Sequence, residues 1–394
     1  MDKEKSINTR YNVVFCIEQY SENGGATFAL REYIECNSKL NKVVVLTNNI
    51  AITGQHDFEV FDINQTDLII LFSKSKFDYI HFYHANGYSV LQKLLTFIKK
   101  NGINLPVLTT VCQKPSYPGY WLSPFEIRNS NLLVYIDYTA SKDKMYTFVN
   151  KDKKQVIYIG CSNSLIEITD EINKCYKPNQ KSNKICYGRG SYLLKCPKNM
   201  FVVFDEIPSP KEFVIVGSGP EEYKEWIYDE IARRNSFDIQ YKEGTSFSDW
   251  LKIAKSFDVF LYHLPENAWS SVDGTLVQAM LLEKPVIYCG PSAPKEILKH
   301  MYNALVADKE SEIPDLCKLL KRDINLREKL SQNARNTILT DFRMTYSCEK
   351  YNKIAEDLKN GRYDDKIHVP LWFIIKYYGI KYTYRINSII RRFF

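Results

Sequence analysis

Residues 11–47 read "YNVVFCIEQYSENGGATFALREYIECNSKLNKVVVLT". "YNVVFCI" is rich in β-branched and aromatic residues and predicts a strand. The polar, glycine-containing "EQYSENGGAT" predicts a loop, "FALREYIECNSKL" a helix and "KVVVLT" a second strand. Strand, loop, helix and strand in that order make the unit of a parallel sheet. The alternation runs on: "DYIHFY" predicts a strand, "SVLQKLLTFIKK" a helix, and "PVLTTV", "NLLVYI" and "QVIYIG" further strands. No domain-sized break falls before residue 160.

Residues 162–184, "SNSLIEITDEINKCYKPNQKSNK", turn polar and irregular and are expected to form the interdomain linker region. A second β/α series starts at "KICYG". It continues through "EFVIVGSGP", the helix "EEYKEWIYDEIARR", "DIQYKE", the helix "FSDWLKIAKS", "DVFLYHL", the apolar helix after Asp273 and "KPVIYCG". Two such series predict two doubly wound α/β domains, 1–165 and 166–350, followed by a helical tail over 351–394. Ligands of open α/β sheets bind beyond the carboxyl ends of the strands. The loops after "VVFCI", "IHFY", "TTV", "ICYG", "FVIVG" and "VFLYHL" are therefore expected to converge on one interdomain cleft.

Composition narrows the function. The 394 residues are 45% hydrophobic and 25% charged, an ordinary globular balance. The start, "MDKEKSINTR", is charged and lacks the apolar core of a signal peptide, and no apolar run reaches the ~20 residues of a bilayer-spanning helix. Ten cysteines, with no C-x-x-C pair and no zinc spacing, are expected to be free thiols in a reducing cytoplasm. The net charge of +7 is modest, and without a basic face or a nucleic-acid motif no nucleic-acid partner is expected.

Blocks in the second half carry a resemblance through their order and spacing: "YGRGSYLLK", "FVIVGSGPEE", "SFDVFLYHLPE", "GTLVQAMLLEKPVI", "APKEIL", "NALVAD" and "LCKLLKRDINLREKLSQNARNTIL". In the first half, "ENGGATFAL" and "FDYIHFYH" add to it. Over about residues 12–355 the chain resembles the family 4 glycosyltransferases, retaining sugar transferases of the GT-B fold. The resemblance implies two Rossmann-like domains facing a central cleft, the first for the acceptor and the second for the nucleotide sugar. It implies metal-independent transfer, with a nucleotide-diphosphate sugar as co-substrate and no other cofactor. The acceptor would be a glycan or a lipid-linked glycan in polysaccharide or glycolipid assembly.

Site residues follow from the same resemblance. Arg189, just after "KICYG", and Lys195 match the cations that hold the donor diphosphate, at a spacing one residue longer than usual. As catalytic groups they would stabilise charge developing on the leaving phosphate, Arg as a planar fork and Lys as a point charge; the plain alternative is two solvated surface charges. Gly24 and Gly25 match the family's Gly-Gly loop near the donor phosphates. Gly219, in "GSGP", lies between a strand and a helix, where backbone N–H groups suit a phosphate and a tight turn would look the same. Asp273 stands at the N-cap of the apolar helix, ahead of Gly274 and Thr275. A diphosphate would repel its carboxylate, so Asp273 is read as a cap or a partner for sugar hydroxyls, while Ser270, Ser271 and Thr275 can donate hydroxyls.

The family carries two glutamates at the positions of Ser270 and Gln278, and a histidine where this chain has Cys112 and Gln113. Gln278 lies one helical turn past Gly274 in an otherwise apolar run, where an unpaired buried amide costs ~1–3 kcal/mol. The resemblance points to a ribose hydroxyl as its partner; a loop carbonyl is the alternative. His81 and His84 fall on one strand at odd spacing and should face opposite sides of the sheet, which argues against a metal pair. His84, at the strand end, is a candidate acceptor-binding residue or a hydrogen-bonded loop histidine. No D-x-D triplet occurs, so no metal-held diphosphate is expected.

The last stretch, "IHVPLWFIIKYYGIKYTYRINSIIRRFF", contains Lys376, Lys381, Arg385, Arg391 and Arg392 and no acid. Basic residues interleaved with Trp, Phe and Ile suit an anionic membrane surface, which would place the protein in the cytoplasm, peripherally on the inner face of the membrane. A helix packing back on the domains is the alternative. Two other functions fit the missing glutamates or the fold: an inactive sugar-binding or scaffold subunit, and a nucleotide-sugar epimerase. A dehydrogenase is disfavoured because Pro220 and Glu221 interrupt the glycine fingerprint.

Overall fold

The computed structural model describes residues 11–21, 25–51, 57–84, 88–112, 122–176, 184–188, 196–197, 199–208, 211–217, 219–234, 238–243, 246–265, 268 and 271–393. It divides into two units, residues 1–160 with 344–394, and residues 161–343.

The first unit is built on seven strands: β1 (Asn12–Cys16), β2 (Lys42–Thr47), β3 (Glu59–Asp62), β4 (Tyr79–His84), β5 (Val107–Val111), β6 (Leu132–Tyr135) and β7 (Lys154–Val156). They lie in the order β3-β2-β1-β4-β5-β6-β7, with every pair parallel. Central strands of a parallel sheet are buried on both faces, which is why β1 is an unbroken apolar run. Val13 and Phe15 pack toward α1 (Gly25–Ser38), while Val14 and Cys16 pack toward α3 (Ser89–Lys100). The shorter α2 (Leu68–Lys74) joins the α3 side through Leu71. On α1, Leu30, Tyr33, Ile34 and Asn37 recur at helical spacing and are buried.

Tyr88 stands at the N-cap of α3 and gives no side-chain cap. Glu18, just past β1, supplies it instead. Its carboxylate accepts from Val90 N at 2.9 Å and from Ser89 Oγ at 2.8 Å. An acid at a helix N-terminus is favoured by the exposed N–H groups and the dipole.

The second unit opens with a helix where a linker was expected. α5 (Asn163–Cys175) starts at Ser162, whose Oγ accepts from Leu165 N at 3.1 Å. Leu165, Ile166 and Thr169 are buried on one side of it. Three buried positions in a helix of thirteen residues are enough to dock it, and the mostly polar composition of the segment masked them. Six strands follow: β8 (Lys184–Gly188), β9 (Glu212–Val216), β10 (Ile239–Lys242), β11 (Val259–His263), β12 (Val286–Cys289) and β13 (Leu305–Ala307). Their order is β10-β9-β8-β11-β12-β13, again all parallel. The crossover from β8 to β11 is the topological switch point of a doubly wound sheet. The helices of this unit include α6 (Met200–Glu206), α7 (Glu221–Arg234), α8 (Phe247–Lys255), α9 (Gly274–Leu281), α10 (Ile313–Arg322) and α11 (Ile324–Asp341).

The chain then returns. In place of breaks at 165 and 350, the units divide at 160 and 343, and the segment 351–394 joins the first unit. α12 (Met344–Lys359) buries Cys348, Tyr351, Ala355 and Leu358, spaced three or four apart, in the core that α1 also covers. The Tyr33 and Tyr351 rings lie 4.7 Å apart, and Asn41 Nδ2 donates to Asn352 Oδ1 at 2.8 Å. α13 (Leu371–Phe393) buries Phe373 and Tyr377 near Tyr146 and Phe148, with Phe373 and Phe148 centroids 4.9 Å apart.

Candidate functional site

At the carboxyl edge of the second sheet, β8 ends at Gly188, β9 at Val216 and β11 at His263. Arg189, Lys195 and Ser270 lie outside the described residues, as does Gly24 of the first unit. Gly25 begins α1, and Gly219 stands between β9 and α7. The described part of the site is therefore centred on α9, which follows β11 and brings Ser271, Asp273, Gly274, Thr275 and Gln278 together.

Asp273 has the extended backbone of an N-cap, and its carbonyl accepts from Leu276 N at 3.0 Å. Its side chain does not cap the helix. The carboxylate accepts from the Tyr262 hydroxyl instead, because Tyr262 ends in the same place at the close of β11. Burial, with the Asp273 charge adding, pushes the neighbouring Tyr288 phenol up, so it stays a neutral donor, bonded to Pro291 O at 2.6 Å. Ser271 and Thr275 are buried, and nothing within 3.8 Å of a Cβ built on Gly274 would resist it. Glycine there leaves the first turn of α9 open rather than relieving strain.

Gln278 is 7% exposed. Its Oε1 accepts from the indole Nε1 of Trp250, on α8, at 2.7 Å. The partner is neither a loop carbonyl nor, on this oxygen, a ligand: a tryptophan that must place its own N–H when buried supplies it. Nε2 faces back along the helix, 3.8 Å from the Cβ position of Gly274. Among the described residues no group bonds that Nε2.

One pair at this edge was not singled out in the sequence. His263, the last residue of β11, is fully buried, and its Nε2 lies 2.8 Å from Glu310 Oε1. Burial holds its pKa down, against the pull of Glu310, so the ring is neutral. Asn199 also donates to Glu310, and Tyr187 OH donates to His263 O at 2.8 Å. A histidine closing an apolar strand was the one available signal.

In the first unit the two histidines do point opposite ways. His81 Nε2 lies 2.7 Å from Thr110 Oγ1, and its ring packs among Phe15, Tyr33 and Tyr351. Burial pushes its pKa down to about 3, which keeps it neutral. His84 is 3% exposed, with Nδ1 2.7 Å from Glu126 Oε1 on α4 (Pro124–Asn129). The ring is thus buried and paired through Nδ1. Among the described residues no group of three or more His, Cys, Asp or Glu could hold a metal ion. No described helix is long and apolar enough to cross a membrane.

The opposite, amino-terminal edge of the second sheet carries a cavity of about 250 Å³, lined in part by Tyr176, Lys255, Asp258, Glu283, Lys284 and Arg327. Glu283 adopts φ 58°, and Lys284 N and Glu283 N bond Ala279 O and Met280 O, at 3.0 and 3.1 Å. These are the two bonds of a Schellman motif, with glutamate in the position that favours glycine. The motif drives Lys284 inward, where burial and then the charge of Lys255 push its pKa down to about 7.

Two parallel α/β sheets of this order define the class: the fold is that of the GT-B glycosyltransferases. Anabaena HepE, solved in complex with UDP, superposes with a TM-score of 0.69 at 13% identity, covering 88% of this chain and 100% of its own. HepE has also been solved with UDP-glucose. WaaG, a glycosyltransferase involved in lipopolysaccharide biosynthesis, superposes with a TM-score of 0.59 at 13% identity, over 87% of this chain and 99% of its own. In sequence, the chain is 23% identical over 238 residues to the uncharacterized glycosyltransferase MJ1069 of Methanocaldococcus jannaschii, across 59% of this chain. The match spans 60% of that relative's length. No protein-family model matches the chain.

Proposed function

We propose that the protein is a retaining, metal-independent glycosyltransferase that moves a sugar from a uridine-diphosphate sugar to a glycan or lipid-linked acceptor. The arrangement at α9 carries the reading. A glycine-headed helix follows β11, with Ser271 and Thr275 at its start and the Nε2 donor of Gln278 one turn in. An N–H donor there suits a ribose hydroxyl acting as acceptor, and a helix N-terminus suits the diphosphate. Arg189 and Lys195 are assigned to the leaving phosphate on the strength of the resemblance. The likeness in fold to UDP-binding HepE supports uridine as the base.

Calorimetric titration with UDP, GDP, ADP and CMP in the presence of EDTA tests this. UDP should bind at micromolar concentration. Gln278→Ala should weaken it about tenfold, the worth of one hydrogen bond to a buried group, while Gln278→Glu should retain it, since a carboxylate also accepts from Trp250 and can accept a ribose hydroxyl proton. Arg189→Ala should lower turnover on the order of 100-fold. If no nucleotide binds, the reading as a transferase fails, and the inactive scaffold subunit takes its place. Epimerised donor formed without acceptor would select the epimerase.

The same proposal assigns α13 to the membrane surface. Opposite buried Phe373 and Tyr377, the helix exposes Leu371 (70%), Trp372, Ile375, Tyr378 and Tyr382 (73%). An apolar stripe next to Lys376 and Lys381 suits anionic headgroups and the first layer of acyl chain. Deleting the helix would uncover the first unit's core, so the test is substitution on the exposed side. Leu371→Ser, Ile375→Ser and Tyr382→Ser together should cut binding to phosphatidylglycerol vesicles at least tenfold, with neutral vesicles as the control. Unchanged binding would remove α13 from the membrane role.

A further inference from the structure

The cavity at the amino-terminal edge of the second sheet gathers cations whose hydrogen-bond donors the chain itself leaves largely unused. Lys284, 5% exposed, reaches it from the turn after α9, Lys255, 6% exposed, from α8, and Arg327 from α11. Each amine donates to one carbonyl, Lys284 to Phe257 O and Lys255 to Leu282 O at 3.0 Å. An ammonium carries three N–H donors, so each retains two. Among the described residues no carboxylate is ion-paired with Lys284, and Glu283 approaches the Lys255 amine only to 3.8 Å. Among the same residues nothing accepts a hydrogen bond from the Arg327 guanidinium, which comes no nearer to Asp258 Oδ1 than 3.9 Å.

The acids around the cavity are engaged elsewhere. Asp258 Oδ2 accepts from Lys184 N at 2.9 Å, at the start of β8. Glu283 is shared with Arg335 at 3.8 Å, and that guanidinium also bonds Leu281 O at 2.6 Å and Asp170. Glu328 is exposed. Buried cations are costly without close partners, and an oxyanion among these three would supply them. We infer that the cavity is a binding site for a small phosphate monoester, with the phosphoryl group held between Lys255, Lys284 and Arg327. A planar guanidinium fork and two ammonium point charges suit tetrahedral phosphate oxygens. The volume of about 250 Å³ lies just below the range of pockets for drug-sized ligands, so it suits an ester of few carbons. The ring of Tyr176, its centroid 5.6 Å from Lys284 Nζ, forms a wall for the organic part.

This site is separate from the one at the carboxyl edge. α9 starts at that edge with Gly274 and runs through eight residues, about 12 Å of helix, to the cavity. Its C-cap, Leu282, gives the carbonyl that Lys255 bonds, and Glu283 and Lys284 follow directly. An ester in the cavity and a nucleotide at the head of α9 therefore meet opposite ends of one helix and can be bound together. The inference does not depend on the proposed activity.

Calorimetric titration of the full chain at pH 6.5, in phosphate-free buffer, with inorganic phosphate and with glycerol 3-phosphate tests it. Acetate and chloride at matched ionic strength are the controls, and each titration is repeated with saturating UDP. One phosphate should bind per chain, with or without UDP, and glycerol 3-phosphate should bind at least as tightly. Lys284→Met and Arg327→Met should each weaken both at least tenfold and leave the UDP titration unchanged. Phosphate that UDP displaces, or that Lys284→Met binds as well as the unsubstituted chain, would overturn the inference, because the anion would then sit elsewhere. So would no binding of either probe, or acetate and chloride binding as tightly as phosphate. Should Arg327→Met fail to fold, Lys284→Met, whose methionine removes a buried charge, decides alone.

Discussion

Replacing Lys284 by methionine should stabilise the second unit by about 3 kcal/mol near pH 6.5. The amine is 5% exposed and donates to Phe257 O, and burial holds its pKa at about 7 against 10.5 in an unfolded chain. Below pH 7 the amine is charged in both states, and folding bears the full cost of burying the charge. Between pH 7 and 10.5 only the unfolded chain holds the proton, and the cost shrinks with each pH unit. Above 10.5 the amine is neutral in both states, and the cost is gone. The advantage of methionine should therefore be full below pH 7 and fade steadily up to 10.5. The position following a Schellman turn commonly takes an apolar residue that packs back on the helix, and the adjoining cavity can hydrate Phe257 O when the amine is removed. Hydrogen exchange of β11 and β12 in both proteins at pH 6.5 and 9.5 measures it. An advantage that grows with pH would contradict the buried-charge account.

Truncating Glu126 should cost the first unit about 3–4 kcal/mol, the range for breaking a buried pair together with a helix cap. Glu126 is 1% exposed and holds three groups. Oε1 lies 2.7 Å from His84 Nδ1, Oε2 accepts from Ser123 N, and its own N–H donates to Ser123 Oγ at 3.2 Å. Glu126→Ala removes both carboxylate contacts and leaves the ring of His84 and the Ser123 N–H facing a void. Glu126→Gln keeps an acceptor for Ser123 N and offers an N–H to His84, so it should cost about 1 kcal/mol. Urea denaturation read by hydrogen exchange of β4 and β5 separates the two. Equal losses for Ala and Gln would mean that side-chain volume, rather than the paired polar atoms, is what the site requires.

These two positions show how unevenly the site could be read beforehand. Glu126 follows Ser123 by three residues, a capping signature visible in the chain, yet its second partner comes from a strand 42 residues away. Gln278 was legible as a polar residue needing a partner. The identity of that partner was not, because Trp250 belongs to another helix and meets Gln278 only once both pack on the sheet. His263 was missed for a similar reason: its meaning comes from Glu310, 47 residues on. The helix at 163–175 was missed because three buried positions carry it, and a short, mostly polar helix draws its stability from docking rather than from its own pattern.

By itself the sequence determined the two β/α series and their parallel sheets. Each rests on periodicity and turn chemistry over ten or twenty neighbouring residues, forces that act before distant parts of the chain meet. Only the tertiary structure decided that 344–394 returns to the first unit, that Trp250 holds Gln278 and that Glu283 turns Lys284 into the interior. Those outcomes depend on which apolar faces close on one another, and a buried polar atom takes whatever partner that closure brings within hydrogen-bond distance.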